Sequence, residues 1–390
     1  MIRFFFTSLL FLIAVDKPLL ADLPSFDDFF KTSQLGKVQT KEKGHFAVSW
    51  VHPRDEIIVD ALLEHLELAD KDLDPIFRSA GGVRKKTPIE IYPDLKSFSA
   101  VSGLSMARFK ATGTIALTLG QRLMILSPRN LAGGYPWGIT VVHEYTHYLI
   151  REITLDYIPI WLHEGVAQMY QGYPYIKNWD FEPSQWGLFK KAKQKKKWLN
   201  LETLKEPFPY RKDPEEAELA YIEALIFVKW LDQQCGAVNL VRFAGELQST
   251  EKALSKCTHL SETELQKKFL NDVLLNAKIP DRTDVQFFAR DFSGKDPLET
   301  EGRKMDKISK NYAVLSDQEF KQGRFKASAI EMEKAFHSTP VVPPSWSRQL
   351  ASAYQKSGKP EKARATLETL LHDYPRDAAG WYLLAELGIK

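Results

Sequence analysis

Cysteine is nearly absent from this 390-residue chain: only Cys235 and Cys257 occur, and they form no Cys-x-x-Cys pair. That excludes a thiolate-rich structural zinc module and a dense disulfide scaffold. Charge of one sign is missing as well, since 53 Lys and Arg nearly offset 50 Asp and Glu, leaving a formal net charge of +3. So small an excess argues against a nucleic-acid partner, because nucleic-acid proteins carry a dominant basic face. Long apolar runs are scarce. Phe4 to Val15 is a stretch of twelve residues, shorter than the roughly twenty that span a bilayer. It follows Met1-Ile2-Arg3 and precedes Leu19-Leu20-Ala21, so residues 1–21 read as a cleaved signal peptide, with an uncleaved membrane anchor as the alternative. A periplasmic or secreted protein is the expectation. In an oxidising compartment Cys235 and Cys257 could form a disulfide or remain buried thiols.

What is present is ample apolar material. With 44% hydrophobic and 26% charged residues, the chain can build two or three cores by the usual domain size of about 100–200 residues. The pattern after a 22–44 N-terminal segment is mixed. Apolar residues at 58, 62, 66, 69, 73 and 76 form a helical stripe and predict a long amphipathic helix over 54–77. Strands are expected at 45–51, 87–93, 113–119 and 122–128, the last two joined at Gly120-Gln121, a Gly-first pair suited to a two-residue hairpin turn.

The chemistry concentrates further on. His143-Glu144-Tyr145-Thr146-His147 places two histidines four apart, followed by Trp161-Leu162-His163-Glu164-Gly165 with sixteen residues between His147 and Glu164. On a helix, positions i and i+4 lie about 40° apart, so both imidazoles can face one metal ion. Two His and one carboxylate with the fourth position left to water is the catalytic zinc arrangement, whereas structural sites are closed by Cys and His. A helix over about 137–151 would carry His143, Glu144 and His147. A second over 160–171 would bring Glu164 opposite them. His163, one position from Glu164, faces about 100° away and is expected to pack or hydrogen-bond outside the ligand set.

These two motifs resemble the gluzincin zinc peptidases, in particular bacterial peptidases of the MA-like domain type with HExxH followed by WLxEGxA. His45 to Trp50, Ile89 to Asp94 and Tyr221 to Leu231 extend the likeness over about residues 45–275. The resemblance implies an α+β, zincin-like domain over 45–280, with a small mixed sheet, an active-site helix and a helical lobe. It implies one Zn2+ per chain held by His143, His147 and Glu164, and Glu144 as the general base. It further implies that Tyr221 stabilises the oxyanion, the alternative being a buried core tyrosine, and that an edge strand, assigned here to Leu123, Met124, Ile125, Leu126 and Ser127, pairs with a peptide or protein substrate. Thermolysin-like relatives carry an Asp four residues after the third ligand to orient a zinc-bound His. This chain has Gln168 there, which can accept a hydrogen bond but brings no charge. Aminopeptidases of the superfamily carry Gly-x-Met-Glu-Asn, and its absence favours an endopeptidase or a specialised hydrolase. A catalytically silent, peptidase-like binding scaffold is the alternative.

Two further segments stand out. Lys190 to Lys197 is the one dense charge run, readable as a solvated face or as a contact with an anionic surface. After a polar linker at 281–308, residues 309–390 repeat with an offset of 35: Leu315 with Leu350, Gly323 with Gly358, Ser328 with Ala363, Met332 with Leu367, Pro340 with Pro375. This resembles the tetratricopeptide repeat. An all-α module is implied, serving a protein partner or capping the fold, with a truncated third unit from Trp381.

Overall fold

The computed structural model describes residues 23–78, 85–131, 134–154, 158–208, 211, 213–280, 285–288 and 295–388. The expected signal peptide at 1–21 lies outside them. By compactness the chain divides into Met1–Ser127, Gly138–Asp180 and Ala192–Lys278 as one unit, and Pro128–Trp137, Phe181–Lys191 and Ile279–Lys390 as the other.

Among the described residues the first unit opens with a helix that the sequence did not announce. Ser25 caps α1 (Phe26–Ser33) by accepting from the Asp28 amide, and Phe26 and Phe30 are buried. Phe26 meets Tyr92 edge-on at 5.1 Å. Five strands follow: β1 (Gln39–Lys43), β2 (Phe46–Trp50), β3 (Thr87–Tyr92), β4 (Ala116–Leu119) and β5 (Arg122–Leu126). They form one mixed sheet in the order β1-β2-β3-β5-β4. Strand β1 is polar and exposed throughout, so no hydrophobic alternation announced it. It pairs antiparallel with β2, Lys41 opposite Val48, while β2, β3 and β5 run parallel. The amphipathic helix α2 (Glu56–Phe77) connects β2 to β3, burying Val59, Leu62, Leu66 and Leu73. A long connection of this kind is what parallel neighbours require.

Short helices α3 (Leu95–Ser102) and α4 (Met106–Thr112) lead to the β4–β5 hairpin. Gly120 adopts φ +64° at its turn, a left-handed conformation that glycine takes without steric cost. The hairpin folds β4 back outside β5, so β5 is paired on both sides, with Met124 opposite Glu90 and Leu117. Leu123–Ser127 is therefore an interior strand and not the open edge that substrate pairing needs. Among the described residues the edges of the sheet are β1 and β4, and the edge next to β5 is β4, whose four residues are all buried.

Helix α5 (Trp137–Thr154) is followed by α6 (Ile160–Tyr170) and α7 (Pro183–Lys195). A helical lobe then comprises α8 (Pro214–Cys235), α9 (Ala237–Leu247), α10 (Thr250–Thr258) and α11 (Glu262–Lys268), the last running into a π-helical turn at Phe269–Leu274. Cys235 and Cys257 are bridged, with Cα atoms 5.6 Å apart, tying the end of α8 to α10. Helix α5 is anchored from behind: the Tyr145 hydroxyl donates to buried Asp70 of α2 at 2.5 Å, and its ring meets Phe46 of β2 at 5.2 Å.

The second unit holds α12 (Pro297–Gly302) and the repeat helices α13 (Lys307–Lys321), α14 (Phe325–His337), α15 (Pro344–Lys356), α16 (Pro360–Asp373) and α17 (Ala378–Gly388). Gly323 and Gly358, equivalent in the 35-residue repeat, have φ +75° and +78° at the turns within each helix pair. Ser328 and Ala363 are fully buried, and the Ser316 hydroxyl lies 2.8 Å from the Ser328 carbonyl, as close helix crossing demands. Met332, Trp346, Leu350 and Leu367 fill the core. The expected linker contains a helix, because Asp296 caps α12 and Pro297 suits its first turn. The unit is also not purely C-terminal. Glu182 pairs with Arg376 at 3.0 Å, and the space above Gly134 is closed by Ala378, so two segments from within the expected 45–280 domain pack with the repeats.

Candidate metal centre

Helix α5 presents His143, Glu144 and His147, and α6 presents Glu164, as the helical spacing predicts. The ligand-capable atoms of His143, His147 and Glu164 all lie within 4.8 Å of one another. Glu164 Oε2 sits 3.2 Å from His143 Nε2 and 3.3 Å from His147 Nε2, and the two nitrogens are 3.0 Å apart. Ligands about 2.0–2.1 Å from a tetrahedral zinc are spaced about 3.3–3.4 Å from one another. The donor set and its spacing thus fit zinc, and it contains no thiolate that would close the site.

The electrostatics favour a divalent cation. Burial alone would raise the Glu164 pKa, but the His147 charge and hydrogen bonds from His143 and His147 outweigh it and hold the carboxyl well below the usual range. Burial likewise opposes charge on His143, yet the hydrogen bond and charge of Glu164 pull its pKa up. A carboxylate kept ionised among imidazole nitrogens is a preformed cation cradle. Glu144 differs. Burial pushes its pKa up against the pull of His147 and His143, which moves a carboxylate toward the range useful to a general base near neutrality.

The outer hydrogen bonds correct one expectation. Gln168 does not reach a histidine. Its Nε2 donates to the Tyr221 carbonyl at 2.9 Å and points back to the Glu164 carbonyl at 3.5 Å. It thereby ties α6 to α8. Gln171, which the sequence did not single out, fills the role expected of Gln168, with Oε1 3.1 Å from His143 Nδ1. His147 is supported by His163, whose Nδ1 lies 2.6 Å from His147 Nδ1. Burial first, and then the neighbouring His147, hold the His163 pKa well below normal, so it is neutral, and in its Nε2–H tautomer its Nδ1 can accept from a His147 Nδ1–H. Both partners were within reach of sequence reasoning. Seven residues on a helix return to within about 20° of the start, which puts Gln171 on the face of Glu164. Thr118 of β4 carried no such signal, yet its hydroxyl lies 2.8 Å from Glu144 Oε2 and 2.9 Å from the Glu144 carbonyl.

Tyr221 lies on α8, its ring edge-on to Phe208 at 4.9 Å and its carbonyl engaged by Gln168. Within the lysine run, Lys193 donates to the Ala277 carbonyl at 3.3 Å. Lys193 and Lys195 sit in the last turn of α7, where cations complement the helix dipole. Among the described residues no helix is long and apolar enough to cross a membrane.

Two family models match the chain. The Peptidase MA superfamily model matches residues 75–268, and a tetratricopeptide repeat model matches residues 344–387. Among solved structures, yeast LTA4 hydrolase in complex with bestatin is similar at 12% identity and a TM-score of 0.36, covering 91% of this chain. The chain spans 57% of that protein's length. No curated protein matches. Residues 75–268, which bring His143 and His147 of HExxH and Glu164 of WLxEGxA into one cluster, are thus a Peptidase MA superfamily domain, and tetratricopeptide repeats follow it toward the C-terminus.

Proposed function

We propose that this protein is a zinc-dependent endopeptidase acting in the periplasm or outside the cell. The observation that carries the proposal is the convergence of His143, His147 and Glu164 beside buried Glu144. His143, His147 and Glu164 would hold one zinc ion. When bound, zinc polarises a substrate carbonyl and acidifies water. Glu144 accepts a proton from the attacking water and returns it to the departing amine. Gln171 and His163 fix the orientations of the two imidazoles. Tyr221 is the proposed oxyanion donor on the strength of its place on α8. The disulfide supports an oxidising compartment, because such bonds persist outside the reducing cytosol. The repeats would receive a protein partner.

Metal analysis of the purified protein with casein hydrolysis tests this, using Glu144→Gln as control. One zinc per chain and hydrolysis lost in the variant are expected. Absent zinc, or hydrolysis undiminished by Glu144→Gln, would overturn the assignment in favour of a silent scaffold.

A further inference from the structure

We propose that Thr118 is a positioning residue for Glu144, clamping one carboxylate oxygen so that the other alone faces the reacting water. The inference rests on the catalytic reading of Glu144 given above. Thr118 sits in the middle of β4, and its hydroxyl has a single hydrogen within reach of two acceptors on the same residue, Oε2 at 2.8 Å and the backbone carbonyl at 2.9 Å. A hydroxyl shared in this way fixes the carboxylate relative to its own backbone. A free glutamate side chain has three rotatable bonds, and the clamp removes the rotamer freedom that would otherwise have to be lost at each turnover. Thr118 is 3% exposed, so water does not compete for the hydroxyl.

The clamp leaves Glu144 Oε1 without a protein hydrogen bond among the described residues, and this is the oxygen assigned to the reacting water. When the water's O–H bond breaks, its proton moves to Oε1 and Oε2 becomes the carbonyl-type oxygen of the acid. Oε2 remains an acceptor, so the Thr118 bond persists through the transfer and through return of the proton to the amine. The base thus keeps one geometry in both halves of the reaction. Misplacing a reacting group by about 1 Å can cost about 100-fold in rate, so the clamp bears on turnover more than on binding.

Thr118→Val removes the hydroxyl at nearly constant shape, and Thr118→Ser keeps it. With zinc-loaded protein and a fluorogenic peptide, Thr118→Val is expected to lower kcat about 10- to 100-fold with KM and zinc stoichiometry unchanged. Thr118→Ser should restore most of kcat. In a crystal structure of zinc-loaded Thr118→Val the Glu144 carboxylate should leave its position. Wild-type kcat in Thr118→Val while Glu144→Gln is inactive would overturn the clamp and leave the peptidase reading standing. Full activity in Glu144→Gln would overturn both.

Discussion

Gln171 Oε1 lies 3.1 Å from His143 Nδ1, whereas Gln168, nearer in sequence to Glu164, is spent on the Tyr221 carbonyl at 2.9 Å. The two glutamines share a face of α6 but differ by nearly one turn along its axis, and that offset divides their work. Outer hydrogen bonds to metal-binding histidines are worth about 10- to 100-fold in metal affinity. Gln171→Leu is therefore expected to weaken zinc binding by that factor, read by chelator competition. Gln168→Leu should mainly lower the melting temperature, since it breaks a tie between α6 and α8. Equal zinc affinities in wild type and Gln171→Leu would show that His143 needs no such support.

How far the site was legible follows from what kind of spacing each residue obeys. His143, His147 and Glu164 are set by helical periodicity and a short connection, so the motif located all three. Gln171 obeys the same periodicity and was reachable. Thr118 meets Glu144 only because β4 crosses beneath α5, a long-range contact with no local signature. The edge-strand assignment failed for a related reason. Alternation identifies a strand but not its neighbours, and here the Gly120 turn lays β4 outside β5. Strand β1 was invisible because its five residues are exposed and polar, leaving backbone pairing with β2 as its only anchor.

Glu223 gives a pH-dependent test at a group outside the His143–His147–Glu164 cluster. It is fully buried on α8, and both its oxygens accept from the Leu199 amide at 3.2 Å. Burial pushes its pKa well above the usual carboxylate value, against the pull of the Leu199 amide and the Arg211 charge. Below the unfolded value near 4.5 both states hold the proton and stability is intact. As pH rises above it the unfolded chain releases the proton first, so stability falls until the folded group also ionises. Glu223→Gln keeps one acceptor for Leu199 and has no proton to lose. Its melting temperature should match wild type near pH 4 and exceed it at pH 7. A difference that stays constant with pH would contradict this origin.

The Cys235–Cys257 bridge closes a loop of sequence separation 22. In the chain-entropy account a loop of that size stabilises the fold by about 3 kcal/mol. Cys235→Ala/Cys257→Ala is expected to lower the unfolding free energy by about that amount in urea, and reductant should reproduce the loss in wild type. Zinc content should be unaffected, because neither sulfur belongs to the His143–His147–Glu164 cluster. A double variant as stable as wild type would mean that the unfolded chain is already compact in this region.

Gly165 explains why the residue after Glu164 has no side chain. A Cβ there would lie 2.5 Å from Val228 Cγ2 and 2.7 Å from the Ala224 carbonyl of α8. The helices cross at near backbone contact, and that closeness sets how far Glu164 reaches toward His143 and His147. The valine methyl can turn aside, but the carbonyl belongs to the helix and cannot. Gly165→Ala is thus expected to cost about 1–3 kcal/mol of stability, as overpacking of a tight interface does, and to weaken zinc binding by displacing its neighbour. Adding Val228→Ala removes only the methyl obstacle, so the double variant should recover part of the melting temperature and little of the zinc affinity. Full recovery of both would place the constraint in the Val228 side chain and remove the argument that the α8 backbone dictates the glycine.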